Sequence, residues 1–210
     1  MKLVIGNKRL SSWSLRPWLV MKHFGIFFDE ILIPLDQTET TASILKFSPT
    51  AKVPVLIDGD LPIWDSLAIV EYLHEKFPEK NLWPKDSAKR ARARSFSAEM
   101  HSGFSDLRRH LSHDLHKNLK DFDWSPAKSD IERIKEIWTQ CLEESEGPYL
   151  FGEFSIADAM FAPVANRFVS YGVPVEGVVK NYVETIRSNP SHKLWIEAGL
   201  LETYTADKHP

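Results

Sequence analysis

The chain has 210 residues, of which 43% are hydrophobic and 26% are charged, proportions typical of a folded globular protein. Lysine and arginine number 26 against 29 aspartates and glutamates, so the formal net charge is −3. This balance excludes a strongly basic protein, and we predict neither a nucleic-acid partner nor a membrane partner. The length allows one large domain or two small ones.

The number of cysteines and the length of the apolar runs indicate the cellular compartment in which the protein is expected. Cys141 is the single cysteine, so no internal disulfide can form and a reducing environment is expected. Apolar runs such as 31–35 are far shorter than the roughly 20 residues that a membrane helix needs. The apolar stretch at 3–5 is too short for a signal peptide. We therefore expect a cytoplasmic protein.

The first 80 residues alternate short β-rich runs with helical stretches. In chain order, the patterns predict a strand over 2–5, a helix over 14–24, a strand over 28–33, a helix over 40–47, strands over 55–57 and 61–64, and a helix over 65–77. Asp58, Gly59 and Asp60 form a hairpin signal between the last two strands. The predicted order is therefore βαβ-α-ββα.

Strand signals nearly vanish after a connector at 81–86. One long helix is predicted over 87–116, because apolar residues recur there three or four apart, at Phe96, Met100, Phe104, Leu107, Leu111 and Leu115. Further helices are predicted over 131–142, 155–170, 178–187 and 192–198. The predicted fold class is α/β plus all-α, with an α/β domain over 1–80, a linker over 81–86 and an all-helical domain over 87–210.

Three serines, Ser11, Ser12 and Ser14, lie between the first strand and the first helix. Hydroxyl groups and free amides at a helix start favour binding of an anion. The simpler interpretation is that Ser14 caps the helix and the other two serines are solvated. This motif alone does not decide between the two.

Two further motifs also have ordinary explanations. Pro54 begins a strand, where its missing amide is tolerated, and the Val53-Pro54 bond on its own is expected to be trans. Asp65-Ser66 at a helix start is explained by an N-cap.

Ser155 and Asp158 form a capping pair before an apolar helix, and we assign this pair to stability. His110, His113 and His116 are three apart and spread around a helix, so no metal site is predicted.

Four segments in this order carry a resemblance: S-S-W-S-L-R-P at 11–17, S-P-T-A-K-V-P-V-L at 48–56, D-S-L-A-I-V-E-Y-L at 65–73 and S-I-A-D-A-M-F-A-P at 155–163. Together they resemble a cytosolic glutathione S-transferase of the serine type. The first segment is most similar to the zeta class and to related bacterial enzymes, although Trp13 stands where zeta enzymes usually carry Cys. The resemblance covers essentially the whole chain.

The resemblance implies a thioredoxin-like N-terminal domain with a cis Val53-Pro54 bond, and glutathione as co-substrate without a metal. It implies that Ser11 is the catalytic residue that donates to the glutathione sulfur, with Ser12 as the alternative. The glutathione-binding residues that it implies are Ser14, Arg16, Lys52, Val53, Pro54, Asp65 and Ser66. The candidates for the electrophile pocket are Trp13, Met100, His101, Phe104 and Arg108.

The function expected from the resemblance is a homodimeric transferase that activates glutathione as a thiolate for attack on small hydrophobic electrophiles. One alternative is a glutathione-dependent isomerase or dehalogenase of the zeta type, such as maleylacetoacetate isomerase. Another is a non-catalytic binding protein of the same fold. Thiol-disulfide exchange is disfavoured, because Ser11 stands where such relatives carry Cys and Cys141 lies on an apolar helical stripe.

Overall fold

The computed structural model describes residues 1–145 and 147–204. Its first part contains, in order, β1 (Lys2–Gly6), α1 (Ser12–His23), β2 (Asp29–Ile33), α2 (Thr40–Leu45), β3 (Val55–Asp58), β4 (Leu61–Trp64) and α3 (Ser66–Lys76). The strands form a mixed sheet in the order β2-β1-β3-β4, with β1 parallel to β2 and antiparallel to β3. The hairpin of β3 and β4 is antiparallel, with Asp58 paired to Leu61, as the turn signal predicts.

The remainder of the described chain is helical. Its helices are α4 (Ser87–Ser102), α5 (Ser105–His110), α6 (Lys128–Glu144), α7 (Ile156–Ser170), α8 (Gly177–Ser188) and α9 (Pro190–Leu200). Within the described residues, none of these helices is long and apolar enough to cross a bilayer.

The predicted single helix over 87–116 is wrong. Gly103 is extended and Phe104 has the left-handed φ of 58°, so α4 ends at Ser102 and the short α5 begins at Ser105. A Cβ at Gly103 would lie 2.8 Å from the carbonyl oxygen of Glu99, so the residue must be small. The apolar spacing nevertheless continues across the break, since Leu107 and Leu111 are buried.

One hydrophobic cluster joins the sheet to the helices. It contains Leu3 of β1, Leu19 of α1, Trp138 of α6 and Phe161 of α7. α1 packs against α7 on one side and α3 on another, so the first strand-helix junction lies beside the helical part. The turn after β1 therefore has neighbours from both halves of the chain.

The predicted fold class is confirmed: a βαβαββα unit of the thioredoxin-like type is followed by an all-helical part. The exact domain boundaries stay a prediction, and residues 205–210 of the predicted helical domain lie outside the described residues. Leu82 and Trp83 of the predicted linker are buried, and the Leu82 carbonyl accepts a hydrogen bond from the Ile156 amide. These two linker residues are therefore packed into the core, whereas Asn81, Lys85 and Asp86 are exposed.

Candidate active site

A cleft of about 780 Å³ opens at the ends of β1 and β3 and at the start of α3. Of the residues singled out in the sequence, those lining it are Ser11, Ser12, Trp13, Lys52, Val53, Pro54, Asp65 and Ser66. These residues come from three separate motifs. The fold therefore brings all three to one surface, as the resemblance requires.

Ser11 is the N-cap of α1 and is buried at the wall of the cleft. Its hydroxyl donates to Oγ of Ser14 at 2.8 Å and accepts from the Ser14 amide at 3.2 Å. Ser14 is fully buried, and its Oγ also accepts from the Gly6 amide at 3.1 Å. Ser14 therefore holds Ser11 in place and does not itself line the cleft.

Ser12 is the first residue of α1 and is also buried at the cleft. Its hydroxyl oxygen accepts a hydrogen bond from Nη2 of Arg167 at 3.3 Å, which leaves the hydroxyl proton of Ser12 available. Both serines line the cleft, but the Ser11 proton is donated to Ser14 and must be released before it can serve a ligand thiol. They differ in that Ser11 faces another hydroxyl and Ser12 faces a cation.

The Val53-Pro54 peptide bond is cis, as the resemblance implies. Val53 and Pro54 immediately precede β3, and with Lys52 they line the cleft. Ala51 has φ of 53°, a left-handed conformation that a residue with a Cβ adopts at a cost. This segment can offer backbone groups to an extended peptide.

Asp65 caps α3 and has φ of 73°, which is unusual for a residue other than glycine. One of its carboxylate oxygens accepts from the Leu67 amide at 2.8 Å, and the other accepts from Nε2 of His101 at 2.7 Å. Partial burial raises the pKa of Asp65, but the bonds from His101 and Leu67 outweigh it, and the pKa lies below the ordinary value. Asp65 is therefore an anion at neutral pH.

Ser66 is the first residue of α3 and is almost fully buried. Its Oγ has no hydrogen-bond partner among the described residues, although it lines the cleft. Buried hydroxyl groups are rarely left without a partner. An unpaired hydroxyl beside the free amides of a helix start is suited to a carboxylate ligand.

Trp13 forms part of the cleft wall and is in contact with two arginines. The guanidinium carbon of Arg16 lies 4.0 Å from the ring centroid of Trp13, and that of Arg108 lies 4.6 Å from it. Arg16, Arg108 and Arg167 together form what we term the arginine cluster. In the described part of the chain, each has at least one guanidinium nitrogen without a partner, and none is paired with a carboxylate.

The arginine cluster is electrostatically strained. Burial, together with the charges of Arg108 and Arg167, lowers the pKa of Arg16 well below its usual value. Burial and the charge of Arg108 lower the pKa of Arg167 to about 9. The charges of Asp65 and Asp130 partly offset this effect at Arg16 and Arg108, but neither carboxylate is bonded to the cluster, so a further anion beside it is favoured.

The electrophile-pocket candidates on the helices fall into two groups. Met100 and Phe104 pack into the core and do not line the cleft, so we leave them out of the proposed site. His101 lies edge-on to Trp13, with ring centroids 5.4 Å apart. Arg108 donates from Nε to the Gly103 carbonyl at 3.1 Å, which satisfies a group exposed by the break after α4.

The capping pair of α7 lies away from the cleft. Ser155 and Asp158 form a capping box, with Oδ2 of Asp158 accepting from the Ser155 amide at 2.9 Å. Oδ1 of Asp158 accepts from the Leu150 amide at 3.0 Å and from the Tyr182 hydroxyl at 3.1 Å. Every contact of this buried carboxylate is thus to the protein itself, which agrees with a role in stability.

Among the described residues, no group of three or more His, Cys, Asp and Glu side chains is arranged to hold a metal ion. The helical spacing assumed for the three histidines is wrong, because α5 ends at His110 and both His113 and His116 lie in the following loop. Burial raises the pKa of Cys141 to about 12, so its thiol stays protonated.

Sequence reasoning missed Arg167, which reaches Ser12 from α7. A single arginine on a helix that is otherwise almost entirely apolar is the signal that could have revealed it. It also missed Trp64 and Thr50, which line the cleft beside motifs already identified. Their neighbours Asp65 and Lys52 could have drawn attention to them.

Comparisons with known proteins identify the family of this chain. Residues 10–76 match the family model described as "Glutathione S-transferase, N-terminal domain". Glutathione S-transferase 1 of Dianthus caryophyllus is 34% identical over 166 residues, covering 77% of this chain and 75% of the relative. A probable maleylacetoacetate isomerase of Caenorhabditis elegans is 32% identical, covering 75% of each chain.

Solved structures are similar over nearly the whole chain. A glutathione transferase homolog from Burkholderia, solved with bound glutathione, has 27% identity and a TM-score of 0.74, covering 95% of this chain and 97% of that one. The sequence identity to the Dianthus and Caenorhabditis relatives extends over three quarters of the chain. This chain therefore belongs to the glutathione S-transferase family.

Proposed function

We propose that this protein binds glutathione in the cleft and activates its thiol for attack on an electrophile. The observation that carries the proposal is the unpaired hydroxyl of Ser66, which faces the same cleft as Ser11. A ligand with a carboxylate at one end and a thiol at the other fits that pair of positions. The Burkholderia homolog with bound glutathione supports the same assignment.

The glutathione-binding roles follow from the chemistry of each group. The Ser66 hydroxyl and the α3 amides receive the γ-glutamyl carboxylate, and the anionic Asp65 receives the neighbouring ammonium group. Backbone groups of Val53 pair with the cysteinyl part, as an added strand would. Lys52 extends toward the same cleft and suits a second carboxylate of the tripeptide.

Thiol activation is assigned to Ser11, with Ser12 as the alternative. Ser11 donates its proton to Ser14 Oγ, so on binding this proton turns from Ser14 to the sulfur, while Ser11 Oγ keeps the hydrogen bond that it accepts from the Ser14 amide. Lowering a thiol pKa by two units requires about 2.7 kcal/mol. One hydrogen bond to a charged sulfur contributes about 1.5–3 kcal/mol and the α1 terminus about 0.3–1 kcal/mol more.

In the reaction that we propose, the thiolate sulfur forms a bond to the electrophilic carbon and the leaving group departs with its electron pair. The thiol proton has already passed to solvent. The part of Trp13 that lines the cleft beside Ser11 and Ser12 provides apolar surface for a small aromatic or unsaturated electrophile. The homodimer expected from the resemblance stays a prediction.

The activity is tested with an activated aryl halide such as 1-chloro-2,4-dinitrobenzene and a panel of alkyl halides and enones. We expect glutathione-dependent formation of the thioether by the wild-type protein. Tight binding of glutathione without turnover of any member of the panel would instead favour a non-catalytic binding protein.

A second candidate, a glutathione-dependent isomerase or dehalogenase acting on a carboxylic acid, is favoured by the arginine cluster. The unpaired guanidinium nitrogens lie behind Ser12 and Trp13 and do not line the cleft, and their positive charge favours an anionic second substrate there. A matched pair of electrophiles, one a free acid and the other its methyl ester, separates the candidates. A preference for the acid of about tenfold or more in kcat/KM supports the second candidate, and a preference for the ester supports the first.

A further inference from the structure

The turn that leads into Ser11 is built from residues 7–11, between β1 and α1. The Asn7 carbonyl accepts hydrogen bonds from the amides of Leu10 at 3.1 Å and Ser11 at 2.8 Å, so the end of the turn is fixed from within. The amides of Lys8 and Arg9, at its tip, bond instead to a residue far away in the sequence. That residue is Glu202, which follows the last helix, α9.

Glu202 contacts the tip of the turn with both of its carboxylate oxygens. Oε1 accepts from the Lys8 amide at 2.8 Å and Oε2 accepts from the Arg9 amide at 3.0 Å. A carboxylate that accepts two consecutive amides fixes both the position and the orientation of that peptide segment, and such charge-assisted bonds are stronger than neutral ones.

The loop after α5 holds the same turn from a second direction. The Arg9 side chain donates from Nε to Oδ1 of Asp114 at 2.7 Å and from Nη2 to Oδ2 at 2.8 Å, a bidentate pair. The Leu115 amide donates to the Arg9 carbonyl at 3.2 Å. The hydrogen bond from Arg9 holds the pKa of Asp114 below its ordinary value, so the pair stays ionised at neutral pH.

A glycine on α9 allows the close approach. A Cβ built on Gly199 would lie 3.0 Å from the amide nitrogen of Arg9, 3.0 Å from the carbonyl carbon of Lys8 and 2.6 Å from Cδ1 of Leu115. The backbone of the turn therefore lies directly against α9. Any larger residue must displace either the turn or the Leu115 side chain.

We propose that Glu202 and Asp114 are positioning residues for thiol activation, through which the helical part of the chain sets the place of the Ser11 hydroxyl. This proposal rests on the proposed function. Their four hydrogen bonds converge on Lys8 and Arg9, two to three residues before Ser11, whereas none reaches the glutathione-binding groups at β3 and α3. Catalytic groups must be held within about 0.5 Å, and a misplacement of about 1 Å costs up to a hundredfold in rate.

The test compares the wild-type protein with Glu202→Gln, Gly199→Ala and the control Glu197→Gln, by ultraviolet titration of the thiolate of bound glutathione against pH. Glutamine at 202 offers a single carbonyl oxygen to the two amides, and alanine at 199 crowds the turn and the Leu115 side chain without removing a charge. Glu197 is exposed on α9 and has no hydrogen bond or ion pair in the described part of the chain. Calorimetric binding of glutathione and thermal unfolding are measured on the same samples.

We expect both test variants to raise the pKa of the bound thiol. At a pH below the wild-type pKa they should show three- to tenfold less thiolate than the wild type. Glutathione affinity should stay within about twofold, because Val53, Asp65 and Ser66 are untouched, and kcat should fall more than KM rises. Glu197→Gln should match the wild type in every measurement.

An unchanged thiol pKa in both folded variants, with or without a lower unfolding temperature, overturns the positioning role and leaves the proposed function intact. A wild-type protein that binds glutathione without any thiolate overturns the proposed function itself, and the positioning role with it. The two failures are therefore distinguished by the wild-type titration. If Gly199→Ala does not fold, Glu202→Gln alone decides, since its side chain lies outside the hydrophobic core.

Discussion

The carboxylate of Asp65 at the start of α3 accepts a hydrogen bond from Nε2 of His101 on α4, at 2.7 Å. The bond joins a residue proposed to hold the glutathione ammonium group to a helix of the other half of the chain. The bond orients the carboxylate and favours its ionised form. If Asp65 binds the ligand as proposed, a side chain from the second part of the chain supports binding in the first.

This relationship predicts that His101→Phe weakens glutathione binding about fivefold, since phenylalanine keeps the ring beside Trp13 and loses the hydrogen bond. The dissociation constant is measured by calorimetry. In an Asp65→Asn background the same change should have little further effect, because the charged acceptor is already gone. Equal losses in both backgrounds contradict a role acting through Asp65.

Ser66→Ala is predicted to weaken glutathione binding about tenfold or more without lowering the unfolding temperature. Its hydroxyl has no partner in the described part of the protein, so its removal costs the fold little, while a charged ligand loses one hydrogen bond. Ser97→Ala is the matched control, because Ser97 Oγ on α4 is equally buried and unpaired but lies away from the cleft. Equal affinities for the two variants would count against Ser66 as a ligand.

Asp158→Ala is predicted to lower the free energy of unfolding by about 3 kcal/mol or more. The change leaves the buried amides of Leu150 and Ser155 and the Tyr182 hydroxyl without an acceptor. Asp86→Ala removes the exposed cap of α4 and should cost only about 1 kcal/mol in the same denaturant titration. The stability assignment is contradicted if Asp158→Ala costs no more than Asp86→Ala.

The pH dependence of stability is predicted to include a buried neutral histidine. Burial lowers the pKa of His192 from 6.5 to about 4. The unfolded chain therefore takes up a proton below pH 6.5 and the folded chain only near pH 4. As the pH falls across this window, protonation of His192 in the unfolded chain lowers the free energy of unfolding by roughly 3 kcal/mol.

The measurement is an NMR titration of the His192 ring, whose Nδ1 bonds to the Ile186 carbonyl at 2.9 Å. The ring must be observed directly, because Asp158 changes the free energy of unfolding with pH in the opposite direction. Burial raises the pKa of Asp158 to about 6, so its contribution to stability falls as the pH rises through that value. A His192 ring that titrates near pH 6.5 in the folded protein contradicts the prediction.

Local sequence signals were sufficient for the order of elements up to α3. The hairpin turn and the cap at Asp65 are each encoded within a few residues, and the structure has them at the predicted places. The capping box of Ser155 and Asp158 was predictable for the same reason. The break after α4 was not, because the apolar spacing continues through Phe104 and only Gly103 signals the change.

The motifs of the candidate site could be recognised in the sequence, but the contacts made by distant residues could not. Ser11, Val53 and Asp65 were assigned to the site because their motifs resemble those of the family, and each stands at or just before a strand or helix end. The reach of Arg167 to Ser12 depends on how α7 packs against α1, which involves residues 155 apart and leaves no local pattern. Met100 was misplaced for a similar reason, since the rotation of α4 decides whether it faces the core or the cleft.

The measurement that tests the central claim most directly is the thiolate absorbance of bound glutathione against pH, in the wild type, Ser11→Ala and Ser12→Ala. We predict that the wild type lowers the thiol pKa by about two units and that Ser11→Ala loses most of this shift. We predict that Ser12→Ala retains most of it. Loss of the shift in Ser12→Ala alone would move the activating role to Ser12. A wild-type protein whose bound glutathione ionises at the same pH as free glutathione would contradict thiol activation altogether.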